Sequence, residues 1–421
     1  MESGGDSRTG ALSGTRVLDL TTEWGLLSGG ILADLGADVI QVEPTGGSTA
    51  RRFGPFLDDS GRPEDSLFWA AYARNKRGIT LDITSAEGRR LLLRLAEQAD
   101  CLVESFRPGF LSGRGLGYDT LSQVNPRLIM VSVTPFGEDG PKARWPATDL
   151  TVVAASNYLL ATGDKDRAPL GIPFPQSFLH ASTEAAIGAL VALRERRRSG
   201  RGQHVDVSAQ EALTNCTQSF ILSAAWKDVS FFRLPPGEMR SKAGLSGVYP
   251  AANGFVVIGF FYGSGLGPIA QKFMHWVFEE GMCDERDRDR DWVNYMALMA
   301  SGQETMNDLD HVHGVIERFT RSKTKAELLE GALARGLLLS PAFTVQEVLA
   351  SPQLESREFW QCSGDPADEF RYPGPFARFS ESALQYRRRA PRIGEHNRAV
   401  LCGELGLSDA ELARLAAEGV I

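Results

Sequence analysis

Cysteine is scarce in this chain: five occur in 421 residues, and no two lie closer than Cys362 and Cys402. Neither a C-x-x-C nor an H-E-x-x-H occurs, so no structural or catalytic zinc site, nor any other metal site, is expected. An odd number of widely spaced thiols argues for reduced cysteines and a cytoplasmic location. Histidine is almost as rare, at six. The close pair His311 and His313 would point different ways on a helix, and solvent exposure is expected for both. Long apolar runs are missing, because the most apolar stretch, Gly254 to Ile269, is broken by Gly263, Gly265 and Gly267; a membrane span is not expected. Residues 1–13, MESGGDSRTGALS, lack the basic start and apolar core of a signal peptide and read as a disordered N-terminus. Positive charge is in deficit: 45 Lys and Arg against 53 Asp and Glu give a net charge of −8. That excludes a general nucleic-acid or anionic-membrane binder and leaves room for a local basic groove around one anionic ligand. The phosphate loop G-x-x-x-x-G-K-[ST] and the nucleophile elbow G-x-S-x-G are absent too. Gly113 to Gly117 is glycine-rich but does not join a first strand to a helix, so it reads as a turn.

What is present is an alternation of strands and helices. With 43% hydrophobic and 23% charged residues, the chain reads as soluble and globular, long enough for two or three domains. Strands are expected at Thr15 to Leu20, Ala37 to Glu43, Ile79 to Asp82, Cys101 to Glu104, Leu128 to Val133 and Gln203 to Ser208. Helices are expected at Gly29 to Leu35, from Ser85 onward, at Tyr118 to Gln123, at Thr183 to Arg198 with Ser182 as N-cap, and at Ala209 to Trp226. Strand, helix, parallel strand is the βαβ pattern of a doubly wound α/β domain, here residues 14–229. Residues 230–245 read as a linker. Residues 246–345 read as a smaller α+β domain with a hairpin at Gly247 to Phe261 and helices at Ile269 to Phe278, Asp291 to Ala300 and His313 to Thr320. The run Glu285 to Asp291 alternates in sign and reads as a solvated loop. Residues 346–421 should return to the large domain, with a strand at Gly374 to Phe379 and an exposed helix at Asp409 to Glu418.

Several blocks, in order and spacing, resemble the class III coenzyme A transferases of the CaiB/BaiF type. They are Arg16 to Leu20, Leu32 to Ile40, Asn75-Lys76-Arg77, Val103 to Gly109, Leu116-Gly117-Tyr118, Asn125 to Leu128, Phe136-Gly137, Gly200 to Ser208, Gly336 with Pro341, and Ile393 to Asn397. The resemblance implies a Rossmann-like large domain, a smaller α+β domain and two interlocked chains. It also implies a coenzyme A thioester as substrate rather than a permanent cofactor. A carboxylate attacks the thioester to form a mixed anhydride, coenzyme A thiolate re-attacks, and an acceptor acid then takes the coenzyme.

Counting back from Gly200, the nucleophile's slot falls on Phe178, and no Asp occurs between Asp166 and Asp206. A phenyl ring cannot attack a thioester. The racemase histidine slot, before Asp149, holds Thr148. Glu184, expected in the first turn of the long helix, and His180, in the loop before it, are the substitutes for a missing catalytic group. The coenzyme's phosphates would be met by Asn75, Lys76, Arg77, Arg107, Arg114 and Lys142, and Phe106 is either a stacking surface for adenine or a core residue. Gln41 stands where the family often has Lys, and Gly113 where it often has Arg. The loop Gln176 to Glu184 resembles that of the nucleophile-lacking subunit of benzylsuccinate coenzyme A transferases. The expectation is therefore a subunit, itself without the Asp, that moves coenzyme A from a donor such as succinyl-CoA to a carboxylic acid in company with a homologous Asp-bearing chain. An active homodimer using Glu184 and a non-catalytic acyl-CoA-binding protein remain as alternatives. Neither nucleic acid nor membrane is an expected partner.

Overall fold

A computed structural model describes residues 10–163, 167–227, 247–260, 262–363, 370–384 and 386–421. The linker expected at 230–245 and the first nine residues lie outside them. The described residues fall into two compact units: one drawn from Met1–Leu159, Gly171–Ala225 and Gln353–Ile421, the other from Leu160–Leu170 and Trp226–Pro352. Leu160–Leu170 groups with the second unit, although its sequence neighbours on both sides belong to the first.

The first unit is built on six parallel strands: β1 Arg16–Leu20, β2 Asp38–Glu43, β3 Arg77–Thr80, β4 Cys101–Glu104, β5 Ile129–Thr134 and β6 His204–Ser208. Their order is β3-β2-β1-β4-β5-β6. The helices that accompany them include α1 Leu26–Asp34, α2 Leu67–Tyr72, α3 Ala86–Glu97, α4 Tyr118–Val124, α5 Asp149–Ala155, α6 Gln176–Ser199, α7 Ala209–Asn215 and α8 Gln218–Lys227. Alternate strand residues point to opposite faces. Leu18, Ile40, Ile79, Leu102 and Met130 pack beneath α3, α4 and the C-terminal segment. Val17, Val39, Val103, Val131 and Val207 pack beneath α1, α5 and α6. This is a doubly wound α/β layer structure.

Local chemistry explains the helices. Ser85 caps α3 by accepting from Gly88 N–H, and Leu91, Leu92 and Leu95 form its buried stripe. On α6 the buried stripe is Ala181, Ala185, Ala189 and Ala192, small enough to bring the helix close to the sheet. The glycine-rich block after α6 is shaped by contact as well: a Cβ on Gly202 would stand 1.9 Å from Leu128 O.

The second unit holds the expected hairpin, β7 Val248–Ala251 and β8 Gly254–Ile258, with β9 Leu339–Pro341 antiparallel to β8. Helices Gly267–Glu279, Tyr295–Ser301, Met306–Arg321 and Lys325–Arg335 share a core of Phe273, Trp276, Trp292, Val315 and Phe319 with this sheet.

Several expectations are corrected. Gly10 to Ser13 form a turn, and Leu12 N–H donates to Leu35 O. Helix α6 begins at Gln176 after Pro175, so Ser182 lies inside it and donates its hydroxyl to Phe178 O. The helix expected at Ala209 to Trp226 is divided at Cys216 and Thr217. The charged run Glu285 to Asp291 is not a solvated loop. It turns Asp287 and Arg290 inward as a buried pair at 2.9 Å, joined by Glu304 and by His311 Nε2 at 2.9 Å. His313 is half-buried and bonds Tyr249 Oη at 2.9 Å. Gly374 to Phe379 is not a strand; Arg371–Pro373 is, paired antiparallel with Trp360–Cys362. The C-terminal helix Asp409–Ala417, in contrast, is exposed along most of its length as expected, with only Leu415 buried in the core below the sheet.

Candidate functional site

The strand order reverses direction between β1 and β4, and in open α/β sheets ligands bind at the carboxyl ends of the strands at such a switch point. Here the two loops are tied together: Thr22 N–H, after β1, donates to Ser105 Oγ, after β4, at 2.8 Å. Asp19 shapes the first loop by accepting from Thr21 N–H and Oγ1–H with one carboxylate oxygen. Its other oxygen takes Lys76 Nζ at 2.7 Å, and the same ammonium donates to Leu26 O at 2.7 Å and Gln41 Oε1 at 2.9 Å. Desolvation lowers the Lys76 pKa, opposed chiefly by the Asp19 charge. Gly29 is required beside this cluster, since a Cβ there would lie 1.8 Å from Asp19 Oδ2. Lys76 was expected to meet the coenzyme. Its side chain is instead wholly buried and serves as the floor of the β1 loop. Gln41 complements it, accepting from Lys76 and donating to Asp19 O and Thr21 O.

The flanking residues are likewise occupied. Arg77 opens β3, at the amino ends of the strands, and pairs with Asp38 at 2.6 Å and with Glu404. Asn75, in the left-handed region at φ 65°, donates to Asp34 and accepts from Arg387 N–H and Arg388 N–H.

The loop after β4 does gather expected residues. Phe106 and Phe110 stack at 4.5 Å, and the Arg114 guanidinium lies 3.8 Å over Phe110. Arg107, exposed, lines a cavity of about 320 Å³ together with Glu104, Ser132, Tyr118 and His204. Lys142 lies in the loop after β5, 5.8 Å from the Phe136 ring and 5.6 Å from Trp145.

Glu104, Ser132 and His204 were missed by sequence reasoning. Glu104 closes the apolar strand β4 and is only 3% exposed. It accepts from Phe106 N–H at 2.7 Å and hydrogen-bonds Ser132. Burial nevertheless pushes its carboxyl up to about 7, with Glu138 and Asp206 adding repulsion. Ser132 Oγ is 2.9 Å from His204 Nε2, and the His204 ring stacks on Tyr118. Desolvation lowers the His204 pKa, so the ring is neutral near pH 7. The available signal was an acid ending an apolar strand of a parallel sheet.

The N-terminal part of α6 holds the remaining candidates. Ser177 donates N–H and Oγ–H to Asp149 Oδ1 at 2.7 and 2.6 Å, which fixes the helix start. Phe178 is 5% exposed and packs edge-on against Trp24 at 4.5 Å and Phe53 at 5.9 Å. Glu184 is exposed and lies two turns into the helix rather than in its first turn. His180 belongs to the helix, is half-buried, and has Nδ1 3.5 Å from Cys216 Sγ. At 100° per residue, positions 180 and 184 stand well away from the Phe178 face. Among the described residues no group of His, Cys, Asp or Glu is placed to hold a metal ion, and no helix is long and apolar enough to cross a membrane.

Comparison with known proteins agrees with this architecture. The family model "CoA-transferase family III" matches residues 12–397. Succinyl-CoA:(R)-benzylsuccinate CoA-transferase subunit BbsE of Thauera aromatica is 36% identical, over 96% of this chain and 97% of that protein. Succinyl-CoA–D-citramalate CoA-transferase of Chloroflexus aurantiacus is 32% identical, over 97% and 98%. Among solved structures, a CaiB/BaiF family protein from Brucella suis superposes with a TM-score of 0.80 at 26% identity, over 96% of this chain and all of that one. Rv3272 from Mycobacterium tuberculosis superposes at 0.74 with 25% identity, over 93% and 99%. Fold, motif order and full-length similarity converge, and the chain belongs to CoA-transferase family III.

Proposed function

We propose that this chain is the nucleophile-lacking subunit of a heteromeric, cytoplasmic CoA-transferase that moves coenzyme A from a thioester donor such as succinyl-CoA to a carboxylic acid. The observation that carries the reading is that Phe178, at the slot counted back from Gly200 for the nucleophile, is buried in an aromatic cluster. A homologous Asp-bearing chain supplies the carboxylate. That carboxylate attacks the thioester carbonyl and expels coenzyme A thiolate, leaving a mixed anhydride. The thiolate re-attacks, frees the first acid and leaves the coenzyme as a thioester on the aspartate, from which the acceptor carboxylate takes it. The relative BbsE carries the word "subunit" in its name, which supports assembly with a second chain. Exposed apolar side chains on α6 and α8, Ile187, Val191 and Leu222, support an interlocked partner as well.

In this reading the coenzyme lies at the carboxyl ends of β1, β4 and β5, its nucleotide end toward the cavity lined by Arg107 and flanked by the Arg114–Phe110–Phe106 stack. The decisive test is co-expression with an Asp-bearing homologue. The two should co-purify and transfer coenzyme A together, with hydroxylamine trapping an acyl group on the partner only. Full turnover by this chain alone, abolished by Glu184→Gln, would establish the homodimeric alternative instead.

A further inference from the structure

Three segments of the first unit converge on a thiol that the proposed transfer reaction does not use. Cys216 sits in the break between α7 and α8 and is exposed. Its Sγ lies 3.5 Å from His180 Nδ1 on α6 and 3.6 Å from Ala212 O. The Tyr158 ring, from the segment after α5, flanks the imidazole at 6.1 Å. Among the described residues this is the one cysteine whose sulfur reaches a histidine nitrogen. The place of the pair matters as well. His180, Glu184, Ile187 and Val191 recur at helical spacing on one stripe of α6. Ile187 and Val191 are 50% and 61% exposed, and Leu222, on α8 just beyond Cys216, is 69% exposed. The thiol therefore stands at the end of the apolar face that a partner chain would cover. We propose that Cys216, with His180 as its base, is a thiol–disulfide exchange site, and that a small thiol attached there closes the apolar face of α6 and α8 to the partner. This rests on the reading of the chain as one member of a heteromer.

The step balances within the pair and one co-reactant, a low-molecular-weight disulfide. His180 Nδ1 takes the thiol proton, as a base within hydrogen-bonding reach of a nucleophile does. The Cys216 thiolate attacks one sulfur of the small disulfide; a new S–S bond forms to Sγ as the old one breaks. The departing thiolate takes the proton back from the imidazolium and leaves as a free thiol. Cys216 is oxidised, the departing half of the disulfide is reduced, and an excess of free thiol runs the step backwards. Access to solvent and a neighbouring base mark a redox-responsive cysteine where other thiols stay reduced. Buried Cys101 lacks the first of these. A glutathione-sized adduct brings an ammonium and two carboxylates onto the stripe, and charges buried without partners oppose association. Phe178 lies on another face of α6, so its aromatic cluster is left in place.

The exchange is read first on the full-length chain alone. Reduced protein is treated with oxidised glutathione at neutral pH, and mass spectra of the intact chain and its peptides give the rate at each cysteine. Cys216 should gain one glutathione, removed again by dithiothreitol. His180→Ala should slow that gain about three- to tenfold while leaving the rate at Cys362 unchanged. Assembly is read next. The reduced chain should co-purify with an Asp-bearing homologue, and the chain carrying glutathione on Cys216 should not. Cys216→Ser, which keeps the other exposed thiol, Cys362, should co-purify whether or not it has met the disulfide. An unchanged rate in His180→Ala, an adduct on Cys216 that leaves co-purification intact, or a Cys216→Ser chain that still loses its partner would each overturn the proposal. Failure of the reduced wild-type chain to pair at all would overturn the heteromer reading, and the control of assembly with it.

Discussion

Lys76 Nζ lies 2.7 Å from Asp19 Oδ2, and neither side chain has measurable exposure. The pair couples the start of β3 to the end of β1 and so sets the loop that carries Thr21 and Thr22. Breaking one half leaves a buried charge unpaired, which costs about 3–5 kcal/mol. Lys76→Met is expected to destabilise the chain by that order in urea unfolding. The double variant Asp19→Asn/Lys76→Met should recover much of the loss. A single-variant effect below about 1 kcal/mol would refute the structural role.

Phe178 is a packing residue in the aromatic cluster of Trp24, Phe53 and Phe68. Phe178→Ala should cost about 3–5 kcal/mol, the usual range for a large-to-small change in a core. Phe178→Asp should be at least as destabilising, since the new carboxylate has no partner there, and should not by itself create turnover. Thermal melts and a transfer assay on the isolated chain check both outcomes; a Phe178→Asp chain that is stable and active would show that the slot is preformed.

Glu104 makes stability depend on pH with an unusual sign. Its folded pKa, about 7, lies above the ordinary 4.5, so between these values the native state holds a proton that the unfolded state has lost. Stability from this group is full below about pH 4.5, declines through the interval and is gone above about 7, for a change of about 3 kcal/mol. Urea midpoints from pH 5 to 8 should show the decline, and Glu104→Gln should flatten it. An identical slope in the variant would assign the decline to other groups.

The five thiols are free and differ in access. Cys216 and Cys362 are exposed, Cys283 and Cys402 partly so, and Cys101 is buried with its pKa pushed up to about 12. Ellman's reagent should find two fast sites and two slower ones, with Cys101 reacting only after unfolding. Fast reaction of Cys101 under native conditions would contradict the burial of β4.

The fold was legible where one physical rule dominates. Short runs rich in Val, Leu and Ile, such as Val17 to Leu20 and Ile129 to Val133, fit buried parallel strands, and the motif order from Arg16 to Asn397 carried the family. Errors fell where side chains satisfy one another across the sequence. The alternating charges of Glu285 to Asp291 looked solvated because His311 and Glu304, which hydrogen-bond to the buried half of the run, are distant in sequence. The start of α6 was misplaced because the N–H and hydroxyl of Ser177 are met by Asp149, far upstream, and the helix has no local side-chain cap.

The same division separates the site residues. Local pattern by itself determined a doubly wound α/β domain, and the resemblance carried by motif order added the family and an aromatic ring at the slot counted for its acid, because residue identity at a counted position needs no coordinates. Only the tertiary structure decided what each charged group does. Lys76, Arg77 and Asn75 turned inward to carboxylates and carbonyls, while Glu104, Ser132 and His204, from three different strands, met in one cavity. Whether a charge binds a ligand or a neighbour is settled by which partner lies within hydrogen-bonding reach once water is removed, and that distance exists only after the chain has folded.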